Sequence, residues 1–356
     1  MIAKRFGESS ARGLVLVLLC VLGAELATWS GVPMAWMIGP MLVSTVFAVS
    51  GWQVPLPRQT RITGQTIVAT AVGLQLTWAG VVAVSDLVVE ILIVALGSGF
   101  LAIGLAPLLQ RLSNVDRASS FFACVPCGPA EMAELAERGG GNGPLVGLVQ
   151  GLRIAMVVLI VPSALRLAGV PLLEDSRVAN DLFSVGALTV PALCLALLTA
   201  LALKRLGMVS PFFLGPLALA SILAVMVEGP VAWPRGLTYA GQFLLGVSLG
   251  LSFNRDLLRL APRFVAASAL ITLLTILGCT ALALGIASVD GLPFATLTLA
   301  AAPGSVTEMS LTANVMGLDV AMVTGFHIVR LFILMPLAPL ALFLVSKSEA
   351  DESPRE

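Results

Sequence analysis

Charge is scarce in this chain, and so are the side chains from which most catalytic centres are built. Among 356 residues there are 20 basic and 20 acidic side chains, one tyrosine and one histidine, His327, and only 11% of residues are charged. Soluble proteins carry about 25% charged residues, so a water-solvated globule is excluded. The balance of charges is zero, which removes the electrostatic reason for a direct nucleic-acid partner. The five cysteines, Cys20, Cys124, Cys127, Cys194 and Cys279, all lie inside apolar stretches. A disulfide framework is therefore not expected. The Cys124-x-x-Cys127 pair lacks both a second ligand pair and the strand–helix context of a redox motif. No nucleotide-binding motif is recognisable.

What the chain has in abundance is apolar sequence: 58% hydrophobic residues and a mean hydropathy of +1.01. Apolar runs cover 13–29, 33–50, 62–82, 86–109, 143–168, 182–203, 211–227, 236–253, 264–287 and 319–346. Each is close to the roughly 17 to 25 residues a helix needs to cross about 30 Å of hydrocarbon, so ten crossings are expected. The first run, after Lys4, Arg5 and Arg12, has the look of a signal peptide. It also aligns with an internal segment starting near Val190, so it is expected to be retained.

Two further stretches, 118–138 and 293–317, are apolar but interrupted, at Cys124-Val125-Pro126-Cys127-Gly128-Pro129-Ala130-Glu131 and at Ala302-Pro303-Gly304-Ser305-Val306-Thr307-Glu308. Non-helical backbone at membrane depth is tolerated only where protein or a water-filled cavity satisfies its N–H and C=O groups. Such breaks therefore mark a site.

The sequence repeats itself. An offset of 177 places Gly64-Gln65 on Gly241-Gln242, Pro126 on Pro303, Glu131-Met132 on Glu308-Met309, Arg153 on Arg330 and Pro162 on Pro339; an offset of 176 places Gly39-Pro40 on Gly215-Pro216. Gln, Glu and Arg are too scarce here for such matches to be accidental. The expected fold is an all-α polytopic membrane protein of two homologous repeats, 1–175 and 176–346, each with about five transmembrane helices and one broken or re-entrant helix. A polar tail, 347–356, follows. If the broken segments re-enter, the halves are inverted and both termini are cytoplasmic. Fifteen Lys and Arg residues then face inside against three outside, Arg166, Arg177 and Arg235. If they span, the count is twelve against six. Because basic residues collect on the cytoplasmic side, the inverted arrangement is preferred.

Arg153 and Arg330 fall ten residues into the last long helix of each half, where an unpaired charge costs at least about 2.5 to 3.5 kcal/mol. Glu131 and Glu308, just past each break, are the expected partners. Ser305-x-x-Glu308 also fits a capping box, which would make Glu308 a helix start. Alternatively, each break presents a half-helix N-terminus that, with an Arg nearby, holds an anion or carboxylate. His327, one turn before Arg330 and matched by Gln150, could couple transport to protons or serve as a satisfied hydrogen-bonding residue. Gln65 and Gln242 could line a cavity or bond between helices. Gly39-Pro40 and Gly215-Pro216 are expected to kink their helices, and Glu134 and Glu137 to be solvated.

The Gly31-Val32-Pro33-Met34-Ala35-Trp36-Met37-Ile38-Gly39-Pro40 segment, the Pro303-Gly304-Ser305-Val306-Thr307-Glu308-Met309 break and the duplicated frame resemble the AbrB family of bacterial membrane proteins, over nearly the whole chain. The first half departs from the Pro-Gly-Ser pattern with Pro126-Cys127-Gly128. The resemblance implies a multi-pass inner-membrane protein. It brings labels of gene-expression regulator and ammonia monooxygenase. One histidine is too few for a copper monooxygenase, and the loops are too short for a DNA-binding module, so regulation would be indirect. No nucleophile–base pair or metal cluster suggests an enzyme. Inverted halves with paired breaks also resemble the bile-acid symporters and sodium/proton antiporters, which is an analogy of fold alone.

The expectation is a secondary transporter of a small anionic or zwitterionic solute, in the lipid bilayer, without a cofactor beyond a coupling H+ or Na+. The expected site residues are Glu131, Glu308, Arg153, Arg330, His327, Gln150, Ser305, Thr307, Gln65 and Gln242. A homo-oligomer is compatible with the sequence. The alternative is a membrane sensor acting through a protein partner without transport.

Overall fold

The structure, a computed structural model, describes residues 2–52, 54, 56–76, 78–170, 189–208, 210–226, 233–253 and 255–352. The expected repeat boundary, between 175 and 176, lies outside these residues. So does the end of the tail, whereas 347–352 continue the last helix. Among the described residues every regular element is helical: α1 Ile2–Trp29, α2 Ala35–Val49, α3 Arg58–Gly73, α4 Trp78–Ser85, α5 Val88–Ser113, α6 Arg117–Cys124, α7 Pro129–Arg138, α8 Gly143–Leu167, α9 Thr189–Arg205, α10 Pro211–Met226, α11 Arg235–Leu251, α12 Arg255–Leu260, α13 Pro262–Asp290, α14 Phe294–Ala301, α15 Val306–Met316 and α16 Val320–Glu352.

Each of the ten apolar runs finds a helix, but not always of the expected length. Stretches of α1, α5, α8, α13 and α16 are long and apolar enough to cross a membrane. By contrast α2, α3, α9, α10 and α11 have 15 to 17 residues, about 23 to 26 Å at 1.5 Å per residue, short of an average hydrocarbon core. The run 62–82 stops at Gly73 and resumes as the separate α4. Leu22, Leu26, Leu198, Leu277 and Phe343 all expose more than half of their surface, as expected of side chains that meet lipid.

The helices form two compact units. Neither unit is one half of the chain, since each takes segments from both. The first unit contains α1 to α4, the end of α8, α9 to α11 and all of α15 but its first residue. Here α2 packs on α1 and α11, α10 packs on α9 and α3, and α3 packs on α11.

Glycines set these spacings, as is common between membrane helices. A Cβ on Gly39 would lie 2.6 Å from the Ala24 nitrogen, and one on the matching Gly215 would lie 2.8 Å from the matching Ala200 nitrogen. At the α3–α11 crossing, a Cβ on Gly64 would approach the Gly241 carbonyl oxygen to 3.1 Å. Pro40 and Pro216 lie inside α2 and α10. Met34, before α2, and Ser210, before α10, both hold positive φ, 53° and 48°, a left-handed backbone that costs a non-glycine residue on the order of 1 kcal/mol or more.

The second unit contains α5 to α7, most of α8, α12 to α14 and most of α16. Its centre is the pair α5–α13, with α6 packed on both and α14 on both. Both breaks, 125–128 and 302–305, belong to this unit.

Candidate functional site

An α-helix leaves its last four carbonyls without partners. At the end of α6 and of α14 the residues that carry those carbonyls are buried in the protein, away from water. The next long helix supplies the donors. From α8, Arg153 donates through Nη1 to the Val125 carbonyl at 2.9 Å and through Nη2 to the Cys127 carbonyl at 3.1 Å. From α16, Arg330 donates through Nη1 to the Ala302 carbonyl at 2.7 Å and through Nη2 to the Gly304 carbonyl at 2.8 Å. Residues 125, 127 and 153 lie 177 positions before 302, 304 and 330. A cation at a helix C-terminus also meets the negative end of the helix dipole.

One turn earlier on each helix a second donor does the same work. Gln150 Nε2 donates to the Phe122 and Val125 carbonyls at 2.6 and 3.0 Å. His327 Nε2 meets the Leu299 carbonyl at 3.0 Å, while its Nδ1 lies 2.7 Å from Arg330 Nη2. A carbonyl only accepts and a guanidinium only donates, so the ring carries its hydrogen on Nε2 and is neutral. Both ring nitrogens are committed.

All four side chains are buried: Gln150 0%, Arg153 3%, His327 1% and Arg330 3% exposed. The two guanidiniums lie within electrostatic reach of each other, and both act on Cys127 and Cys279. Among the described residues of this unit no carboxylate forms an ion pair with either arginine. Arg153 Nε and Gln150 Oε1 are buried without a hydrogen-bond partner.

The expected Glu–Arg pairing is therefore corrected. Arg153 and Arg330 spend their donors on main-chain carbonyls, and Glu131, in the same unit, turns its carboxylate elsewhere. Glu131, half-buried in the first turn of α7, folds its carboxylate back over Gly128, so that a Cβ there would collide with Oε2. Glu308 belongs to the first unit, is 3% exposed, and leaves Oε2 without a hydrogen-bond partner. That oxygen does not close a capping box. Thr307 is buried beside it in sequence, and Ser305 is half-buried in the break.

Gln65, half-buried, and Gln242, 2% exposed, lie on α3 and α11 in the first unit. Glu134 and Glu137 are exposed as expected, and Glu134 pairs with Arg138. No group of three or more His, Cys, Asp or Glu side chains that could hold a metal occurs among the described residues.

The profile of the family described as "Transition state regulatory protein AbrB" matches residues 36–346, most of the chain. The chain belongs to the AbrB family. Similar chains include "Uncharacterized protein YhjN" of Bacillus subtilis (strain 168), 24% identical over 93% of this chain and 92% of its own length. Another is "Putative regulator AbrB" of Escherichia coli (strain K12), 25% identical over 90% and 94%. Five helices long and apolar enough to cross a membrane make this AbrB-family chain a helical membrane protein.

Missing from the sequence reading were the main-chain acceptors at 122, 125, 127, 299, 302 and 304, and the proximity of Cys127 and Cys279 to both arginines. The acceptors are backbone atoms and have no residue-type signature. The spacing of Gln150 and His327 one turn before each arginine was the available clue.

Proposed function

We propose that this AbrB-family chain is a secondary transporter of a small anionic or zwitterionic solute, working by alternating access in the bacterial inner membrane, with inverted halves and both termini cytoplasmic. The observation that carries the proposal is the pair of buried guanidiniums at the two breaks. Two like charges in one unit of low dielectric, with a neutral histidine and no paired carboxylate there, favour an anion between them. Each arginine already holds its break open by binding carbonyls, so the backbone there need not refold when a solute arrives. A carboxylate could take the free Arg153 Nε and compete for the remaining donor directions of Arg330. The Gln150 amide, whose Oε1 is unpartnered, suits the ammonium of a zwitterion or a hydroxyl.

On this reading the chain is a carrier and has no catalytic residue or cofactor. Its partners are the solute and the bilayer. The printed names of the family and of the E. coli relative favour a second reading, regulation without transport. That reading predicts dependence on exposed loops such as 51–61 and 254–263 rather than on the buried arginines.

The test is binding. Purified protein is heated with a panel of small mono- and dicarboxylates and amino acids, and the ligand-dependent rise in unfolding temperature is recorded. At least one acid should stabilise the wild type, and Arg153→Gln and Arg330→Gln should lose that response. A response unchanged in both variants would remove the site.

A further inference from the structure

The two breaks differ at one matched position, and the difference moves a carboxylate. Gly128 stands where the second half has Ser305. In the first half the Glu131 carboxylate occupies the space a Cβ on Gly128 would need. Ser305 has that Cβ, so Glu308 is denied the same fold-back position. Its side chain is buried at 3% exposure, with Oε2 lacking a partner.

Around it, within the same unit, lie two further features. Arg61 of α3 is a charged group that acts on Glu308; Met34, just before α2, meets Thr312 of α15, and α2 carries no titratable residue. One turn after Glu308, the Thr312 hydroxyl lies 2.7 Å from the Glu308 carbonyl and 2.8 Å from Met34 Sδ. Met34 holds this position with φ 53°, a strained backbone of the kind that persists at functional sites. A buried carboxyl with an unmet oxygen, on a half-helix that follows a break and that touches Met34 through Thr312, is placed to change partners when that half-helix moves.

We propose that Glu308 is the proton-carrying group of this transporter, taking up H+ at Oε2 on one side of the membrane and releasing it on the other as α15 shifts. The step forms one O–H bond on Glu308 from a hydronium ion, leaving water. It breaks the same bond to water on the opposite side, and nothing is oxidised or reduced. His327, whose ring meets the Leu299 carbonyl and Arg330, has both nitrogens committed and does not carry the proton. The proposal rests on the transporter reading.

Two measurements test it. Infrared difference spectra of the purified protein between acid and alkaline pH should show a protonated-carboxyl C=O band. The band should disappear in Glu308→Gln, weaken in Ser305→Gly, which restores the fold-back space, and survive in Glu131→Gln. An identical band in Glu308→Gln overturns the proposal. In proteoliposomes containing a pH dye, addition of the solute found by thermal stabilisation should change internal pH with the wild type, and Glu308→Gln should lose that change. Solute entry without proton movement in the wild type overturns the proposal and leaves the transporter reading intact. Absence of any solute entry overturns both.

Discussion

Arg330 donates to the carbonyl of Gly304 across 26 residues of chain at 2.8 Å, and this contact keeps a helix break open inside the apolar part of the molecule. The equivalent bond from Arg153 to Cys127 is 3.1 Å. A long helix thus reaches across to close the carbonyls that the preceding broken segment cannot close for itself.

Removing the guanidinium exposes this dependence. Arg330→Gln leaves at least one of the Ala302 and Gly304 carbonyls unpaired, at a cost of about 1 to 3 kcal/mol. The variant should still insert but unfold at a lower temperature in detergent. Arg330→Lys should fall between the two, since one ammonium cannot reproduce the two-pronged geometry.

His327→Gln should be nearly silent. The first half already uses Gln150 for the same bond to a carbonyl one turn before its arginine, and a glutamine at 327 keeps a donor for Leu299. Solute-dependent stabilisation in this variant should stay within about twofold of wild type, with an unchanged pH profile. His327→Leu, with no donor, should lose stability by about 1 to 3 kcal/mol.

Close helix approach gives a packing prediction. A Cβ on Gly246 would run into the Met37 carbonyl, so Gly246→Ala should cost about 1 to 3 kcal/mol and reduce the yield of monodisperse protein on size-exclusion chromatography. Gly285→Ala, with nothing within 4 Å of the added carbon, should be neutral or stabilising by up to about 1 kcal/mol.

The exposed Arg138–Glu134 pair should matter little. Side-chain exposures of 71% and 62% leave it screened by water, and Glu134→Ala should change stability by less than about 0.5 kcal/mol in a thermal melt.

Much of this arrangement could be read from the chain itself. Hydropathy found a helix for each of the ten apolar runs, five of them long enough to cross a membrane, because burial in lipid leaves a continuous apolar run whatever the tertiary packing. The breaks were legible from Pro126, Pro303 and the glycines beside them. Helix ends were less so: the stop of α3 at Gly73 is hidden inside an apolar run and is set by packing of Gly73 against Leu217 of α10. The charge pairing was misread for a physical reason. A buried arginine needs acceptors, and the sequence displays side-chain carboxylates but not main-chain carbonyls, which are present at every residue and become available only where a helix stops. Nor could the membership of α15 in the first unit, apart from its first residue, be foreseen, since the sequence does not show which helices a half-helix packs with.

Topology can be read by impermeant thiol labelling of a lone cysteine at position 176 in a background without the five native cysteines. Labelling from outside intact cells agrees with inverted halves and cytoplasmic termini. Labelling only after lysis would make the halves parallel.

The most direct test of the central claim is solute counterflow in proteoliposomes. Vesicles loaded with an unlabelled small carboxylate, chosen by its thermal stabilisation of the protein, are diluted into trace labelled solute. The account predicts transient accumulation with the wild type and none with Arg153→Gln or Arg330→Gln of equal incorporation. Accumulation undiminished in both variants, or none with the wild type for any stabilising acid, would contradict it.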